Sequence, residues 1–164
     1  MSLFADNGWR SWADLSDNRV YRYALGRIWD DVLEQVVFIG LNPSTADENL
    51  DDPTIRRCIG FAKAGGYGSL VMLNLFALRA TNPRALRGVN DPIGYPRNDQ
   101  EISEYVGQSA LVVAAWGADK FSLPRGKAVV EQIRYQGNGH KLHHLGLTKH
   151  GQPKHPLYLA KTTG

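Results

Sequence analysis

Three short, unbroken apolar runs set the limits on what this chain can fold into. They are Val36-Val37-Phe38-Ile39-Gly40-Leu41, Leu70 to Phe76, and Leu111 to Gly117. Each has strand length, and none alternates apolar with polar residues. A strand that is apolar on both sides must be covered on both sides, as in a parallel sheet between layers of helix. The intervening segments read as those helices. Asp52-Pro53 opens one, with Asp52 as N-cap and Pro53 where its missing N–H costs nothing. Ile55, Ile59, Phe61 and Ala62 form its buried stripe, and Gly65-Gly66 stops it. A short helix near Pro83–Arg87, another over Asn98–Gln108 and a third over Gly126–Tyr135 follow, with a fourth strand at Leu142–Leu147.

Strands alternating with helices predict right-handed crossovers. The expected fold is therefore a three-layer α/β/α arrangement around a central, mostly parallel four-stranded sheet. The aromatic-rich stretch Tyr21 to Trp29 adds an N-terminal edge strand or hairpin arm. At 164 residues the chain suits one domain spanning 1–164, with enough length to bury a core. No apolar segment has the length of a membrane span or the form of a signal peptide. The lone Cys58 cannot form an internal disulfide. Both features point to a cytoplasmic protein without membrane association.

Sheets of this kind bind ligands at the carboxyl ends of their strands. Four segments leave the expected sheet there: Asn42-Pro43-Ser44, Asn74 with the turn to Arg79, Trp116-Gly117, and the tail around His155. Asn42 can donate and accept, so it either caps its own turn or holds a water or a base edge. Asn74 lies inside an apolar strand, where an unpaired amide would cost on the order of 1–3 kcal/mol. A backbone group or a ligand must satisfy it, and a carboxamide can bind a nucleobase edge bidentately. Arg79 is a candidate phosphate contact or a solvated loop charge. Asp47, Glu48, Asp51 and Asp52 form an acidic loop suited to helix capping or to a divalent cation. His155 is a candidate proton or hydrogen-bond donor.

Walker A, GxSxG and GxGxxG patterns are absent from the sequence, as are zinc-ligand spacings, so neither cofactor nor metal is expected. Charge is uneven: residues 1–82 carry 8 Lys+Arg against 10 Asp+Glu, and residues 83–164 carry 11 against 6. A basic second half with all five histidines fits either a solubilising surface or a phosphate-bearing partner.

Two resemblances add to this reading. The run from Asn42-Pro43-Ser44-Thr45-Ala46-Asp47 to Arg79-Ala80-Thr81-Asn82-Pro83, with Ala114-Ala115-Trp116-Gly117 and Gly146 to Leu159 later, is similar to an uncharacterised bacterial domain-of-unknown-function family. That family brings no activity with it. Gly40-Leu41-Asn42-Pro43-Ser44 also resembles a strand-ending motif of the uracil-DNA glycosylase superfamily, in its mismatch-specific branch. Leu73-Asn74-Leu75-Phe76, Trp116-Gly117 and His155-Pro156-Leu157 are similar to that superfamily's later motifs and stand in the same order.

The second resemblance implies a uracil-DNA-glycosylase-like fold and hydrolysis of a nucleobase N-glycoside on a damaged, mismatched or modified base. DNA or a nucleotide would be the partner. Asn42 would position the attacking water, Asn74 would read the base, and His155 would stabilise charge developing on it. Leu157 or Tyr158 would wedge into the stack. Gly40, Pro43, Ser44, Phe76, Arg79 and Trp116 would complete the substrate site. The chain departs from the pattern in three places. Ser44 replaces a glycine, the serine after His-Pro is missing, and the first motif has no carboxylate, so Asp47 or Asp52 would have to activate the water. A non-catalytic nucleotide or nucleic-acid binding module, and a metal-dependent hydrolase built on the acidic loop 47–52, are the alternative readings.

Overall fold

Side-chain alternation along the central strands decides which helix covers which face. In the computed structural model, which describes residues 8–156, the elements follow in this order. The hairpin β1 (Arg10–Leu15) and β2 (Arg22–Ile28) leads into β3 (Gln35–Gly40), α1 (Pro53–Ala64) and β4 (Ser69–Asn74). A 3₁₀ turn (Pro83–Gly88), α2 (Arg97–Gln108), β5 (Leu111–Ala114), α3 (Leu123–Tyr135) and β6 (Leu142–His144) complete the described chain. The fold is mixed α/β, with one sheet in the order β1-β2-β4-β3-β5-β6.

Val36 and Phe38 of β3 point to one side, where Ile55, Cys58, Ile59 and Phe61 of α1 meet them. Val37 and Ile39 point to the other, against Ile102 and Val106 of α2 and Val129 and Ile133 of α3. Both faces of the sheet centre are thus buried, as the unbroken apolar runs require. Asp52 caps α1, its Oδ1 accepting from the Ile55 N–H at 2.9 Å.

The sheet has six strands rather than the four expected. β3, β4, β5 and β6 run parallel, while the hairpin joins antiparallel through β2 on β4. β2 is therefore interior, and β1 is the edge. The aromatic stretch is covered on both sides, which explains why six of its seven strand residues, Arg22 to Arg27, are buried. β6 is also shorter than expected, because the chain turns at Leu145 instead of continuing along β5.

The loops after β3 and β5 depart to opposite faces, towards α1 and α3. Between these two neighbouring parallel strands the sheet has a switch point, where a crevice opens at the carboxyl edge.

One ion cluster ties the hairpin to α2. Arg97 bridges Asp14 of β1 and Glu101, its Nε lying 3.0 Å from Glu101 Oε2, and its guanidinium stacks 4.2 Å over the Tyr23 ring. Burial raises the Glu101 pKa from 4.5 to about 8, with the adjacent Asp14 adding to the rise and Arg97 opposing it. The folded protein therefore holds a proton that the unfolded chain has released, and stability falls as pH rises through that window. Calorimetric melting should show Tm declining between about pH 5 and pH 9, and Glu101→Gln should flatten the decline. An unchanged slope in that variant would contradict the assignment.

Candidate functional site

The loop from Leu41 to Asp52 carries most of the site and has no regular secondary structure. Three arginines hold it. Arg79 donates from Nε to Ser44 O at 3.1 Å and from Nη2 to Thr45 O at 3.3 Å. Arg22 donates from Nη1 to Ala46 O at 3.1 Å. Arg27 donates from Nη2 to Asp47 O and Leu50 O at 2.6 and 3.0 Å, and from Nε to Asp51 Oδ1 at 2.8 Å. Because Arg22 and Arg27 are each only 2 % exposed, these are buried cations satisfied mainly by loop carbonyls. Burial lowers the Arg22 pKa to about 10, against the opposing pull of Asp52.

The acidic loop is committed to the same scaffold. Glu48 pairs with Arg19, and Asp51 with Arg27. Asp47 Oδ1 accepts from the Asn49 and Leu50 N–H groups at 2.8 Å each. Burial disfavours the Asp47 charge, yet these donors with Arg19 and Arg79 hold its carboxyl below the usual value. Among the described residues no group of three His, Cys, Asp or Glu side chains is placed to hold a metal ion. The acidic residues expected as possible cation ligands are instead loop fasteners and a helix cap.

At the switch point lies a cleft of about 560 Å3. Asn42, Ser44 and Thr45 come to it from the end of β3, Thr81 from the end of β4, and Trp116 and Asp119 from the end of β5. Asp52 and His155 close it. Behind it is a chamber of about 40 Å3, whose walls include Arg22, Gly40, Pro43, Asp52, Asn74 and His155. The two spaces share Leu41, Asn42, Ser44, Asp52, Thr54 and His155.

Asn42 does more than cap its own turn. Its Nδ2 donates to Ala80 O at 2.8 Å and to Pro43 O at 3.1 Å, clasping the loops after β3 and β4. Its carbonyl oxygen accepts none of the described hydrogen bonds. Asn74 is 2 % exposed, and its Nδ2 is buried without a partner, as is Arg22 Nε on the same chamber wall. Gly40 leaves room there: a Cβ would lie 2.7 Å from Met72 Cε and 2.9 Å from Asn74 Oδ1, so these side-chain ends would have to shift.

His155 reaches the cleft because the last described loop folds back onto β5, with the Gly117 N–H donating to Pro153 O at 2.8 Å. Burial lowers the His155 pKa, with Asp52 opposing, which favours the neutral ring. Trp116 forms a cleft wall and is 3 % exposed.

Of the residues expected from sequence, Asn42, Ser44, Asp52, Trp116 and His155 meet at the cleft, and Gly40, Pro43 and Asn74 border the chamber behind it. Phe76 does not join them. It is buried in the core and stacks on Phe121 at 5.4 Å between ring centroids. Arg79 spends three of its nitrogens on backbone carbonyls, so it acts as a strut. Leu157 and Tyr158 lie outside the described residues. Sequence reasoning passed over Arg22, Thr81 and Asp119. The signal for Arg22 was a charge inside an otherwise aromatic and aliphatic stretch.

The sheet and its switch-point cleft define a mixed α/β protein in general terms. The family is more specific: residues 22–157 match the model for a protein of unknown function (DUF1643), and the chain belongs to that family. The match begins at Arg22 and takes in every cleft residue. Comparison with curated proteins and with solved structures returns no match.

Because Arg27 is buried and fixes the loop through three acceptors, Asp47 O, Leu50 O and Asp51 Oδ1, Arg27→Met should orphan Asp51 and two carbonyls. The expected loss is about 3–5 kcal/mol, read as a lower urea midpoint at constant m-value. A loss under about 1 kcal/mol, the range of an exposed pair, would show that the loop is held by other means.

Proposed function

We propose that the cleft hydrolyses a nucleobase N-glycosidic bond, with DNA or a nucleotide as substrate. The observation that carries this reading is the convergence of Asn42, Asp52 and His155 on one cleft. The Gly40–Ser44 motif lacks the carboxylate needed to activate water, and the N-cap of α1 places one beside it.

In this reading Asn42 accepts a hydrogen bond from the attacking water through its carbonyl oxygen, and Asp52 takes the proton. The water oxygen bonds to the anomeric carbon as the carbon–nitrogen bond breaks. The electron pair leaves with the base, which is later protonated. Charge grows on the base while the sugar becomes oxocarbenium-like. Fixed donors aimed at the developing charge lower that barrier by a few kcal/mol. His155, whose burial favours the neutral ring, keeps one ring N–H as such a donor. Asn74 Nδ2 and Arg22 Nε, on side chains that line the inner chamber, lack acceptors, and a base carbonyl there would provide one. The ordered motifs shared with the uracil-DNA glycosylase superfamily support the same chemistry and a related fold.

The metal-dependent alternative draws no support from the acidic loop, whose side chains are engaged by arginines and backbone N–H groups. A binding module without turnover is separated from the hydrolase by assay. Oligonucleotides carrying uracil, mismatched or modified bases, and free nucleosides, should be tested for base release. The expected result is product from at least one substrate, with Asp52→Asn lowering kcat by about 100-fold or more. The melting temperature should stay close to wild type, because asparagine also serves as an N-cap. No base released from any substrate, or full activity in Asp52→Asn, would overturn the proposal.

A further inference from the structure

α3 and the last described loop enclose a second cavity of about 610 Å3, with β6 along one wall and Trp116 shared with the cleft. Its volume lies within the range of small-molecule sites. None of its lining residues except Trp116 belongs to the cleft.

The lining is unusual in three respects. First, Trp116 Nε1 is buried with no acceptor. Its pyrrole edge lies against Gly126, where a Cβ would come within 3.0 Å of Nε1. Glycine weakens a helix, and here it leaves room for the indole edge beside the cavity. Second, Lys127 and Arg134 stand seven residues apart on α3 and both reach the cavity. At 1.5 Å per residue they are about 10 Å apart along one helix face. Neither is hydrogen-bonded or ion-paired among the described residues. Glu131, between them, is the one acid in the lining. Third, Leu123 and Leu147 are 39 % and 49 % exposed, although they line a concavity that could cover them.

An indole donor and two unpaired cations over an aliphatic floor select for one kind of ligand. We propose that this cavity is a second binding site, separate from the cleft, for a small organic anion with an aromatic body. The body packs on Leu123 and Leu147, the anionic group meets Lys127 or Arg134, and an acceptor on the ring takes the Trp116 N–H. The occupant would then touch the indole that also lines the cleft.

Anilinonaphthalene sulfonate, an aromatic body with a fixed negative charge, is a suitable probe, with its uncharged parent phenylnaphthylamine as control. The expected result is saturable binding at one site, seen by probe fluorescence. The Trp116 indole resonance, assigned by its loss in Trp116→Phe, should shift in the same titration. Combining Lys127→Ala with Arg134→Ala should weaken binding by about tenfold. Both side chains are exposed, so a melting temperature equal to wild type would show that the fold is retained. Binding should be unchanged in Asp52→Asn. Equal affinity for the uncharged parent, a stationary Trp116 resonance, or unaltered binding in the double variant would each overturn the proposal. So would binding lost in Asp52→Asn, which would move the probe to the cleft.

Discussion

Three arginines hold the loop on which the site depends. Arg22 and Arg27 come from β2 and Arg79 from the chain after β4, and between them they fix five carbonyls from Ser44 to Leu50. A loop without secondary structure leaves its backbone groups to be satisfied individually. Planar guanidinium groups do this well, since each offers several donors in a fixed fork. The N-terminal hairpin is thus more than an edge decoration. By pairing β2 against β4, the fold places two buried cations under the loop that links β3 to α1. With the loop fixed, Asp52 can serve as helix cap and cleft wall together.

The buried polar groups left without partners are concentrated in this region. Four side-chain atoms among the described residues are in that state, and three of them belong to Arg22, Asn74 and Trp116, which line the chamber or the cleft. Each costs on the order of 1–3 kcal/mol relative to a paired group. A few such groups are ordinary in a folded protein; here three of the four lie on the walls of cavities at the strand ends. Gly40 and Gly126 fit the same pattern. Each sits where a methyl group would collide with a polar side chain of these walls.

Much of this was legible in the sequence because local chemistry and tertiary environment agreed. The runs at Val36, Leu70 and Leu111 became β3, β4 and β5, since an apolar strand without alternation has few places to go. Asp52-Pro53 became the start of α1 for reasons contained in those two residues. Asn42 and Asn74 stood out as carboxamides at or near strand ends, and both border cavities. The remainder depended on distant contacts. Nothing near Arg22 or Arg27 in sequence shows that their partners lie about twenty residues ahead. Asp47 and Asp51 look like cation ligands until the arginines that engage them are in view. Phe76 follows Asn74 by two residues but continues into the core, because the chain beyond β4 bends towards α3.

The proposed hydrolysis requires a base that enters between Asn42 and His155 with its edge towards Asn74. A crystal structure of Asp52→Asn bound to an oligonucleotide or nucleoside, in which binding is retained and turnover slowed, tests it most directly. The account predicts a base in the cleft, its glycosidic carbon facing residue 52 and a carbonyl within hydrogen-bond distance of Asn74 Nδ2 or Arg22 Nε. A ligand bound elsewhere on the surface with the cleft empty at saturation, or a sugar rather than a base lodged against Asn74, would contradict it.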